Sequence, residues 1–399
     1  MTAQPNSAGA TAMTQRDAFL ESILAEPDDD TPRLIFADWL DEHDDPLGEF
    51  IRVQMQLASL PEDDERRPEL KQRERRLLGA HGREWARAVR PLVTDYEFRR
   101  GFVEEVRLDA RRFPANAAAL FRAAPIRQLL LERPRYGAPP APPLDPNRLA
   151  ACPELARVKS LNVDLTDGDA LAALLGSPHL TNLTSLRLRV GDGGNLPALL
   201  HATKWTGLTA LDLGANRLGL DGLQMLLEWW RFPAVTALRL NTDDLDSACA
   251  DALSRSPVLG QLKALDLSYN NLGSAGAAAL ARSPYVGGLE SLWLGFNSIG
   301  DPGAEALAAC ARLTSLRCLY LANNHLSTAA ARALAKAPGL AQLTRLDLDH
   351  NKIPAADLQA LAASPYLTRL RTLFLRCPTV TRQTRRLLEA RFGEAACRF

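Results

Sequence analysis

The sequence predicts an α/β solenoid of parallel strands and helices, because one motif recurs at a constant spacing through more than half of the chain. The motif reads LxxLxLxxN, and its second leucine recurs in steps of 27 residues. A fixed period of this length is typical of repeat architectures, in which each period forms one structural unit stacked on the next. The second leucine of the motif, here called the strand leucine, occupies positions 211, 238, 265, 292, 319, 346 and 373.

Each repeat encodes a strand followed by a helix. In the copy around Leu265, the leucines at 265 and 267 flank Asp266, which indicates a short strand with one buried face. The alanine-rich segment from Ser274 to Arg282 predicts a short helix that stops before Pro284. A leucine fifteen residues after the strand leucine supplies the predicted buried contact of the helix, at 226, 253, 280, 307, 334 and 361.

An asparagine follows most strand leucines by five residues, at 216, 270, 297, 324 and 351. At the bend after a strand, buried backbone groups lack sheet partners, and an amide that both donates and accepts satisfies them. The position holds Asp243, Thr166, Gly191 and Pro378 elsewhere. We therefore expect an asparagine ladder that weakens at the front and stops at the back.

Two shorter steps of 25 residues extend the series backward to Leu186 and Leu161, and weaker copies begin at Val103 and Ile126. On these motifs, residues from about 155 to 380 resemble leucine-rich repeats of the ribonuclease-inhibitor-like class. The resemblance implies a right-handed horseshoe with parallel strands on the concave face and helices on the convex face.

Composition changes along the chain predict seven segments. They are a disordered tail (1–15), a small all-α module (16–60), a basic helical neck (61–97), irregular first repeats (98–131), a Pro-rich linker or insertion (132–148), the regular repeats (149–380) and a C-terminal cap (381–399). Because each repeat contacts only its neighbours, the ends need covering. In the cap, we expect Leu387, Leu388 and Phe392 to face the core.

The small all-α module has the pattern of three helices. Apolar residues around Phe19 and Ile23 indicate the first, Asp30 or Thr31 is expected to cap the second at Pro32, and the third starts near Leu47. The string DTPRLIFADWLDEHDDPLGEFIRVQ closely resembles the repeat-companion domain of planctomycete and myxobacterial proteins. The resemblance therefore points to a bacterial protein, but it implies no activity.

The neutral total charge hides a strong polarity. Residues 1–65 hold 3 basic and 16 acidic residues, and residues 66–135 hold 18 basic and 9 acidic residues. A basic segment can bind nucleic acid, but here arginines alternate with glutamates and lack an aromatic platform for bases. We expect the acidic head to dock on the basic neck, which disfavours nucleic acid as a partner.

Cysteine spacing and the N-terminal composition bear on the compartment. The six cysteines include no CxxC pair, so we expect reduced, mostly buried thiols. The first residues lack a basic start and an apolar stretch, and the chain has no run of 18 apolar residues. These observations predict a cytoplasmic protein that does not enter a membrane. Export by a leaderless route stays open.

The sequence yields no catalytic, cofactor-binding or metal-binding residues. A calcium loop starting at Asp41 would need glycine at 46 and glutamate at 52, where the chain has Pro46 and Arg52. Of the scattered histidines, only His350 beside Asp349 is placed to meet a ligand, and an ordinary surface histidine is the simpler reading. Hydrolase, phosphate-loop and dinucleotide motifs are absent. We predict neither an enzyme nor a small-molecule substrate.

The strand residues that point away from the core form the candidate binding surface. They are Asn162, Arg187, Asp212, Arg239, Asp266, Trp293, Tyr320, Asp347 and Phe374. Exposed aromatic residues are unusual in a chain that is only 6% aromatic. Together with charges on a rigid sheet they are typical of a protein interface, although aromatics that merely cover the sheet edge are the alternative. The predicted partner-binding residues are Arg239, Asp266, Tyr269, Trp293, Phe296, Tyr320, Asp347, Asp349 and Phe374.

The sequence therefore predicts an interaction scaffold that binds a protein partner on its concave face. Two alternatives stay open. One is a GTPase-activating regulator, which rests on analogy with similar repeat proteins, since no arginine here is singled out as catalytic. The other is a secreted effector whose front module directs export or modification.

Overall fold

The computed structural model describes residues 14–61, 64–134, 142–165, 167–189, 191, 196–200, 205–377 and 380–399. The predictions for the tail, for the centre of the Pro-rich segment, and for Thr166 and Pro378 lie outside the described residues. The chain divides into two compact units. The first comprises Met1–Leu144 and Cys152–Val158, and the second comprises Asp145–Ala151 and Lys159–Phe399.

The first unit combines helices with a short sheet. Its helices are α1 (Gln15–Ala25), α2 (Thr31–Asp41), α3 (Pro46–Ser59), α4 (Arg67–Trp85) and α5 (Phe113–Ala123). Its strands are β1 (Asp95–Arg99), β2 (Phe102–Asp109) and β3 (Gln128–Glu132). Strands β1 and β2 pair antiparallel, and β2 and β3 pair parallel. Helices α1–α3 confirm the predicted all-α module.

One aromatic-rich cluster holds the helices of the first unit together. Its buried members are Ile23, Phe36, Ala37, Leu40, Leu47, Phe50, Ile51 and Leu77. Trp85 at the end of α4 stacks on Phe50, with ring centroids 4.8 Å apart, and Phe98 of β1 meets Phe50 edge to face at 5.4 Å. The core of the module is therefore completed by α4 and by the β1–β2 hairpin.

Arginines of the basic segment anchor the acidic turn between α1 and α2. Arg127 pairs with Asp28, and Arg100 pairs with Asp30 at 3.0 Å. Arg73 of α4 pairs with Glu49 of α3 at 2.8 Å. The predicted docking of the acidic head, residues 1–65, on the basic residues 66–135 is confirmed.

The acidic turn corrects one detail of the sequence analysis. The side chain of Asp30 makes no capping hydrogen bond to α2, because it is drawn to Arg100. Instead, Asp29 accepts a hydrogen bond from the Thr31 backbone N–H at 2.9 Å. Asp30 occupies the predicted N-cap position, but the expected capping hydrogen bond of its side chain is absent, and the carboxylate pairs instead with Arg100 in the turn between β1 and β2.

The hairpin between β1 and β2 requires a glycine. Gly101 has φ +91°, and a Cβ at this position would lie 2.3 Å from the Ile51 side chain. Its backbone N–H donates to Gln54 Oε1 at 2.7 Å, and Gln54 Nε2 donates to the Phe98 carbonyl at 3.1 Å. A single side chain of α3 thus holds both ends of this turn.

The second unit is the predicted α/β solenoid. Its strands are β4 (Ser160–Asp164), β5 (Ser185–Arg189), β6 (Ala210–Asp212), β7 (Ala237–Arg239), β8 (Ala264–Asp266), β9 (Ser291–Trp293), β10 (Cys318–Tyr320), β11 (Arg345–Asp347), β12 (Thr372–Phe374) and β13 (Cys397–Arg398). Each of these strands pairs in parallel with the next one along the chain.

Helices connect most of these strands, and one helix precedes β4. These helices are α6 (Pro146–Ala150), α7 (Gly168–Gly176), α8 (Leu196–Leu200), α9 (Gly219–Glu228), α10 (Ser247–Arg255), α11 (Val258–Gln261), α12 (Gly273–Arg282), α13 (Gly300–Ala308), α14 (Thr328–Ala335), α15 (Ala355–Ala362) and α16 (Arg382–Phe392). All the strand leucines of the regular repeats are at most 1% exposed, as are the helix leucines fifteen residues later. The predicted strand–helix core is confirmed.

The predicted asparagine ladder is present in the regular repeats. Asn297 Nδ2 donates to the carbonyls of Leu267 at 2.8 Å and Leu294 at 3.1 Å, one in the preceding repeat and one in its own. The Asn297 backbone N–H donates to Asn324 Oδ1 at 3.0 Å. Each ladder side chain therefore joins neighbouring repeats and leaves few buried polar groups unsatisfied.

Serines that precede proline tie the helix ends together. Ser283 Oγ donates to the carbonyl of Ser254 at 2.6 Å, and Ser364 Oγ donates to that of Ala335 at 2.6 Å. Each accepting carbonyl lies at or next to the end of a helix in the preceding repeat, where intrahelical donors run out. The helix stop read from Pro284 and its equivalents thus coincides with a contact between repeats.

The C-terminal segment differs in part from the expectation. Leu388 of α16 is fully buried, but Leu387 is 40% exposed, so the prediction that Leu387 faces the core was wrong. A helix that packs along one face turns adjacent residues by about 100° from each other, and only one of two neighbouring leucines can face the core squarely. After α16, β13 adds a last parallel strand beside β12.

Candidate functional site

The in-register strands of the second unit line up one side chain per repeat. Asp266 lies opposite Trp293, Trp293 opposite Tyr320, and Tyr320 opposite Asp347. We call this line of side chains the outer row. Its members are Asn162, Arg187, Asp212, Arg239, Asp266, Trp293, Tyr320, Asp347, Phe374 and Arg398. Neighbouring strands lie about 4.8 Å apart, so adjacent members of the outer row lie side by side.

The front part of the outer row alternates in charge. The Asp212 carboxylate lies 3.3 Å from the Arg187 guanidinium and 3.7 Å from that of Arg239. Asp212 also accepts a hydrogen bond from the Gly214 backbone N–H, and it is only 8% exposed. The next member, Asp266, accepts from the Ser268 N–H at 2.9 Å. No cationic side chain of the described residues lies within ion-pair distance of Asp266.

Two stacked aromatic pairs follow the charged part. The rings of Trp293 and Tyr320 lie 5.2 Å apart with planes 8° from parallel. Those of Tyr269 and Phe296 lie 4.2 Å apart at 12°. The sequence analysis placed all four side chains on this surface, and the structure brings them together in two pairs. Tyr269 is 55% exposed, and the other three are half-buried.

Tyr269 and Phe296 adopt a backbone conformation that their residue types disfavour. The residue four positions after the strand leucine has a positive φ in the six repeats with strand leucines from 211 to 346, with 57° at Tyr269 and 58° at Phe296. Asn323 holds the same position in the next repeat at 49°. Asparagine tolerates this region well, whereas a bulky side chain there is an outlier. The backbone therefore gives no reason for an aromatic residue at this position.

The last predicted acidic residues differ in their environment. Asp347 is half-buried, and burial raises the pKa of its carboxyl group. Asp349 is 2% exposed and accepts hydrogen bonds from the backbone N–H and from Nε of Arg376, both at 2.6 Å. The expectation that Asp349 is exposed was wrong, because Arg376 covers it. The Arg376 side chain, 63% exposed, is presented in its place.

The structure adds two arginines that the sequence analysis did not select. Arg345 Nη1 donates to the Tyr320 hydroxyl at 3.2 Å. Arg398 continues the outer row beside Phe374, because β13 extends the sheet. The two-residue strand carries no leucine motif, so only the pairing reveals it. Phe374 is half-buried between Asp347 and Arg398, and Arg239 is exposed, as expected for surface residues.

The described residues contain no other grouping that suggests a metal or redox site. No cluster of three or more His, Cys, Asp or Glu side chains that could hold a metal ion occurs among them. Asp41, the start of the rejected calcium loop, instead accepts from Arg52 Nε at 2.9 Å. All six cysteines are free thiols, five of them buried, which confirms the prediction of mostly buried thiols. Within the described ranges, no helix has the length and apolar character to cross a membrane.

Comparison with known proteins identifies the repeats. The family model described as "Leucine Rich repeat" matches residues 262–281, 289–308 and 312–335. These segments lie in three consecutive repeats of the second unit, which has the fold of a leucine-rich-repeat solenoid. No curated protein sequence matches the chain significantly.

Two solved structures resemble this chain in fold. One is an internalin from Listeria monocytogenes, with 22% sequence identity, a TM-score of 0.38, and coverage of 70% of this chain and 82% of the other. The other is the yeast Rad7 and Elc1 complex, with 17% identity, a TM-score of 0.45, and coverage of 70% and 69% respectively.

Proposed function

We propose that this leucine-rich-repeat protein is a scaffold that binds a protein partner on the concave, strand-lined face of its solenoid and catalyses no reaction itself. Two aromatic stacks, Trp293–Tyr320 and Tyr269–Phe296, carry the proposal. Both lie on the strand-lined face of the solenoid, on the side of the sheet away from the helices. Stacked aromatic side chains flanked by charges are typical of the centre of a protein interface.

The left-handed backbone at Tyr269 supports a role in binding over a role in folding. A bulky side chain in this region costs roughly 1 kcal/mol relative to a residue that tolerates it. Tyr269 is also more than half exposed, so burial returns little of that cost. The repeat imposes this backbone conformation, so a bulky exposed side chain at this position is better explained by contacts outside the fold than by folding.

The test uses variants whose effects on stability and binding should differ in direction. Tyr269→Asn places at this position the residue type that Asn323 provides in the next repeat. We expect it to leave the melting temperature unchanged or slightly raised while it weakens partner binding. Trp293→Ala should reduce partner binding at least about tenfold, as for the loss of an interface anchor. The measurement is quantitative cross-linking and affinity capture from the source organism, followed by titration of the captured partner.

Trp229→Ala is the matched control. Trp229 directly follows α9 in the helix layer and is 48% exposed. The substitution therefore removes a similar side chain from the opposite face of the repeat. We expect it to leave capture unchanged. If Trp229→Ala and Trp293→Ala reduced capture equally, or if the strand-face variants lost binding only in proportion to stability, the concave face would not be the binding surface.

The finer classification also belongs to this proposal. We assign the repeats to the ribonuclease-inhibitor-like class, since repeats of 27 residues pair a strand with an α-helix. We assign helices α1–α3 to the repeat-companion domain, with a supporting or second-contact role. The proposed location is the cytoplasm, which six free thiols support.

A further inference from the structure

The charge alternation of the outer row is incomplete at one position. Arg187, Asp212 and Arg239 form a run in which the central carboxylate contacts both arginines. Asp266 continues the alternation on the next strand, and the neighbour after it is Trp293. A cation would continue the pattern at the place where the chain supplies an aromatic ring.

An aromatic ring beside an unpaired carboxylate is itself a binding arrangement for a cation. The negative potential of the ring face attracts a cation, and Trp provides the strongest such surface among the side chains. Asp266 is held in position by the hydrogen bond from the Ser268 N–H. Trp293 is held by its stack on Tyr320, which occupies one face of the indole. Both groups are therefore preorganised, with little side-chain entropy left to lose on binding.

The residues that border Asp266 and Trp293 on the same side of the sheet are small. Ser268 lies two positions after Asp266, and Gly295 lies two positions after Trp293. Ala264 and Ser291 lie two positions before them. These four residues face the same side of the sheet as the outer row, because side chains alternate along a strand. Small residues thus border the Asp266–Trp293 pair on both sides.

We propose that the partner presents an arginine side chain whose guanidinium stacks on Trp293 and pairs with the Asp266 carboxylate. Arginine fits better than lysine, because its planar guanidinium both stacks on a ring and donates two parallel hydrogen bonds to a carboxylate. The exposed ring of Tyr269, four residues after the strand leucine of the Asp266 repeat, borders the same strand end. This inference rests on the proposed function and names the chemistry of the partner at one point of that surface.

The test uses the full chain and a defined probe, the peptide acetyl-Gly-Arg-Gly-amide. The protein is labelled with ¹⁵N at the indole nitrogens, which give one signal for each of the six tryptophans. Trp293→Phe identifies the Trp293 signal. We expect that signal to shift saturably at millimolar peptide, while the Trp229 signal stays in place. The peptide in which citrulline replaces arginine keeps the shape without the charge, and it should cause no saturable shift.

Asp266→Asn gives the decisive comparison. Asparagine retains an oxygen that accepts from the Ser268 N–H, so the variant removes the charge with little change in structure. We expect the peptide to bind at least about fivefold more weakly, as for the loss of a charge-assisted pair. Glu305→Gln, which removes an exposed charge from α13 in the helix layer, should leave the affinity within about twofold.

Three results would overturn the inference. They are a Trp293 signal that does not respond to the arginine peptide, equal responses to the arginine and citrulline peptides, and an unchanged affinity in Asp266→Asn. Any of them could occur while Trp293→Ala still abolishes capture of the partner, so failure here is distinguishable from failure of the proposed function. If the arginine peptide did not bind and Trp293→Ala also left capture of the partner unchanged, the proposed binding surface would be wrong as well.

Discussion

Asp243 occupies the ladder position that asparagine holds in five other regular repeats. It is fully buried, and its Oδ1 accepts from the Asn216 backbone N–H at 2.7 Å. Its Oδ2 makes no hydrogen bond to any described residue. By analogy with Asn270, which donates to the carbonyls of Leu240 and Leu267, this atom belongs beside two backbone acceptors. An ionised oxygen cannot donate to them, whereas a protonated carboxyl group can.

The pKa of Asp243 therefore determines a pH dependence of stability. Burial, opposed by backbone hydrogen bonds and assisted by the charge of Asp212, raises this pKa to about 7. An unfolded aspartate has a pKa of about 3.9. Below about pH 4 both states are protonated, and as the pH rises toward 7 only the unfolded state releases its proton. Stability is thus lost as the pH rises through this window, by at most about 4 kcal/mol.

Asp243→Asn should remove this loss. The amide can donate to the two carbonyls and does not titrate, so we expect a more stable protein at pH 8 and a flatter dependence between pH 4 and 7. Urea unfolding followed by circular dichroism at several pH values measures the effect. Asp244→Asn, at the exposed next residue, is the control and should keep the wild-type profile. If Asp243→Asn kept the wild-type pH dependence of the free energy of unfolding, ionisation of Asp243 would not destabilise the folded protein.

At the scale of a single element, helix α14 begins with a cap from another repeat. Ser327 precedes the helix and makes no side-chain capping bond of its own. Asp301 of α13 supplies the acceptor, since its Oδ1 receives the Ser327 N–H at 2.7 Å and the Ala330 N–H at 3.3 Å. Its carboxylate also favours the positive end of the helix dipole. The helix start is therefore determined by a contact between neighbouring repeats.

Asp301→Ala should loosen the first turn of α14. Loss of an N-cap costs about 1 kcal/mol. We expect faster amide hydrogen exchange at Ala330 and Ala331, with a small decrease in the free energy of unfolding. Glu305→Ala removes an exposed carboxylate from α13, the helix that also carries Asp301, and serves as the control. Equal exchange rates in the two variants would mean that the cap contributes nothing.

At the scale of the whole molecule, the leucine core of the solenoid is continuous between neighbouring repeats. Leu265 is fully buried and lies opposite Leu238 on one side and Leu292 on the other. Since repeats contact only their neighbours, stability depends on interfaces along the array. A charge at one strand leucine should therefore disrupt at least three repeats together.

Leu265→Asp tests this coupling. It buries an unpaired carboxylate, which costs several kcal/mol, and we expect the array to lose its cooperative unfolding transition. Ala264→Asp introduces the same group at the adjacent residue, on the half-exposed side of the strand, and should shift the melting temperature only slightly. Both are compared by calorimetry. Similar damage from the two variants would argue against the assigned faces of the sheet.

The sequence predicted the positions that recur in every repeat, but not the contacts that are particular to one repeat. The strand and helix leucines and the ladder asparagines could be located from the 27-residue period, because each position repeats the same burial. The pairing of Asp349 with Arg376, the cap from Asp301 and the strand at Cys397–Arg398 could not, because each depends on a contact with a residue far away in the chain. A side chain's exposure follows from such contacts as much as from its own face.

The sequence by itself determined the α/β repeat, its period, its buried leucines and the aromatic residues of the outer row. These properties follow from local periodicity, which alone decides the side of a strand or helix on which a residue lies. Only the tertiary structure decided that the aromatics form two stacks, that Asp266 lacks an ion pair whereas Asp212 contacts two arginines, and that Asp243 is buried with an unsatisfied oxygen. The reason is that the distances between repeats, and not the spacing within one, determine which charges meet a partner.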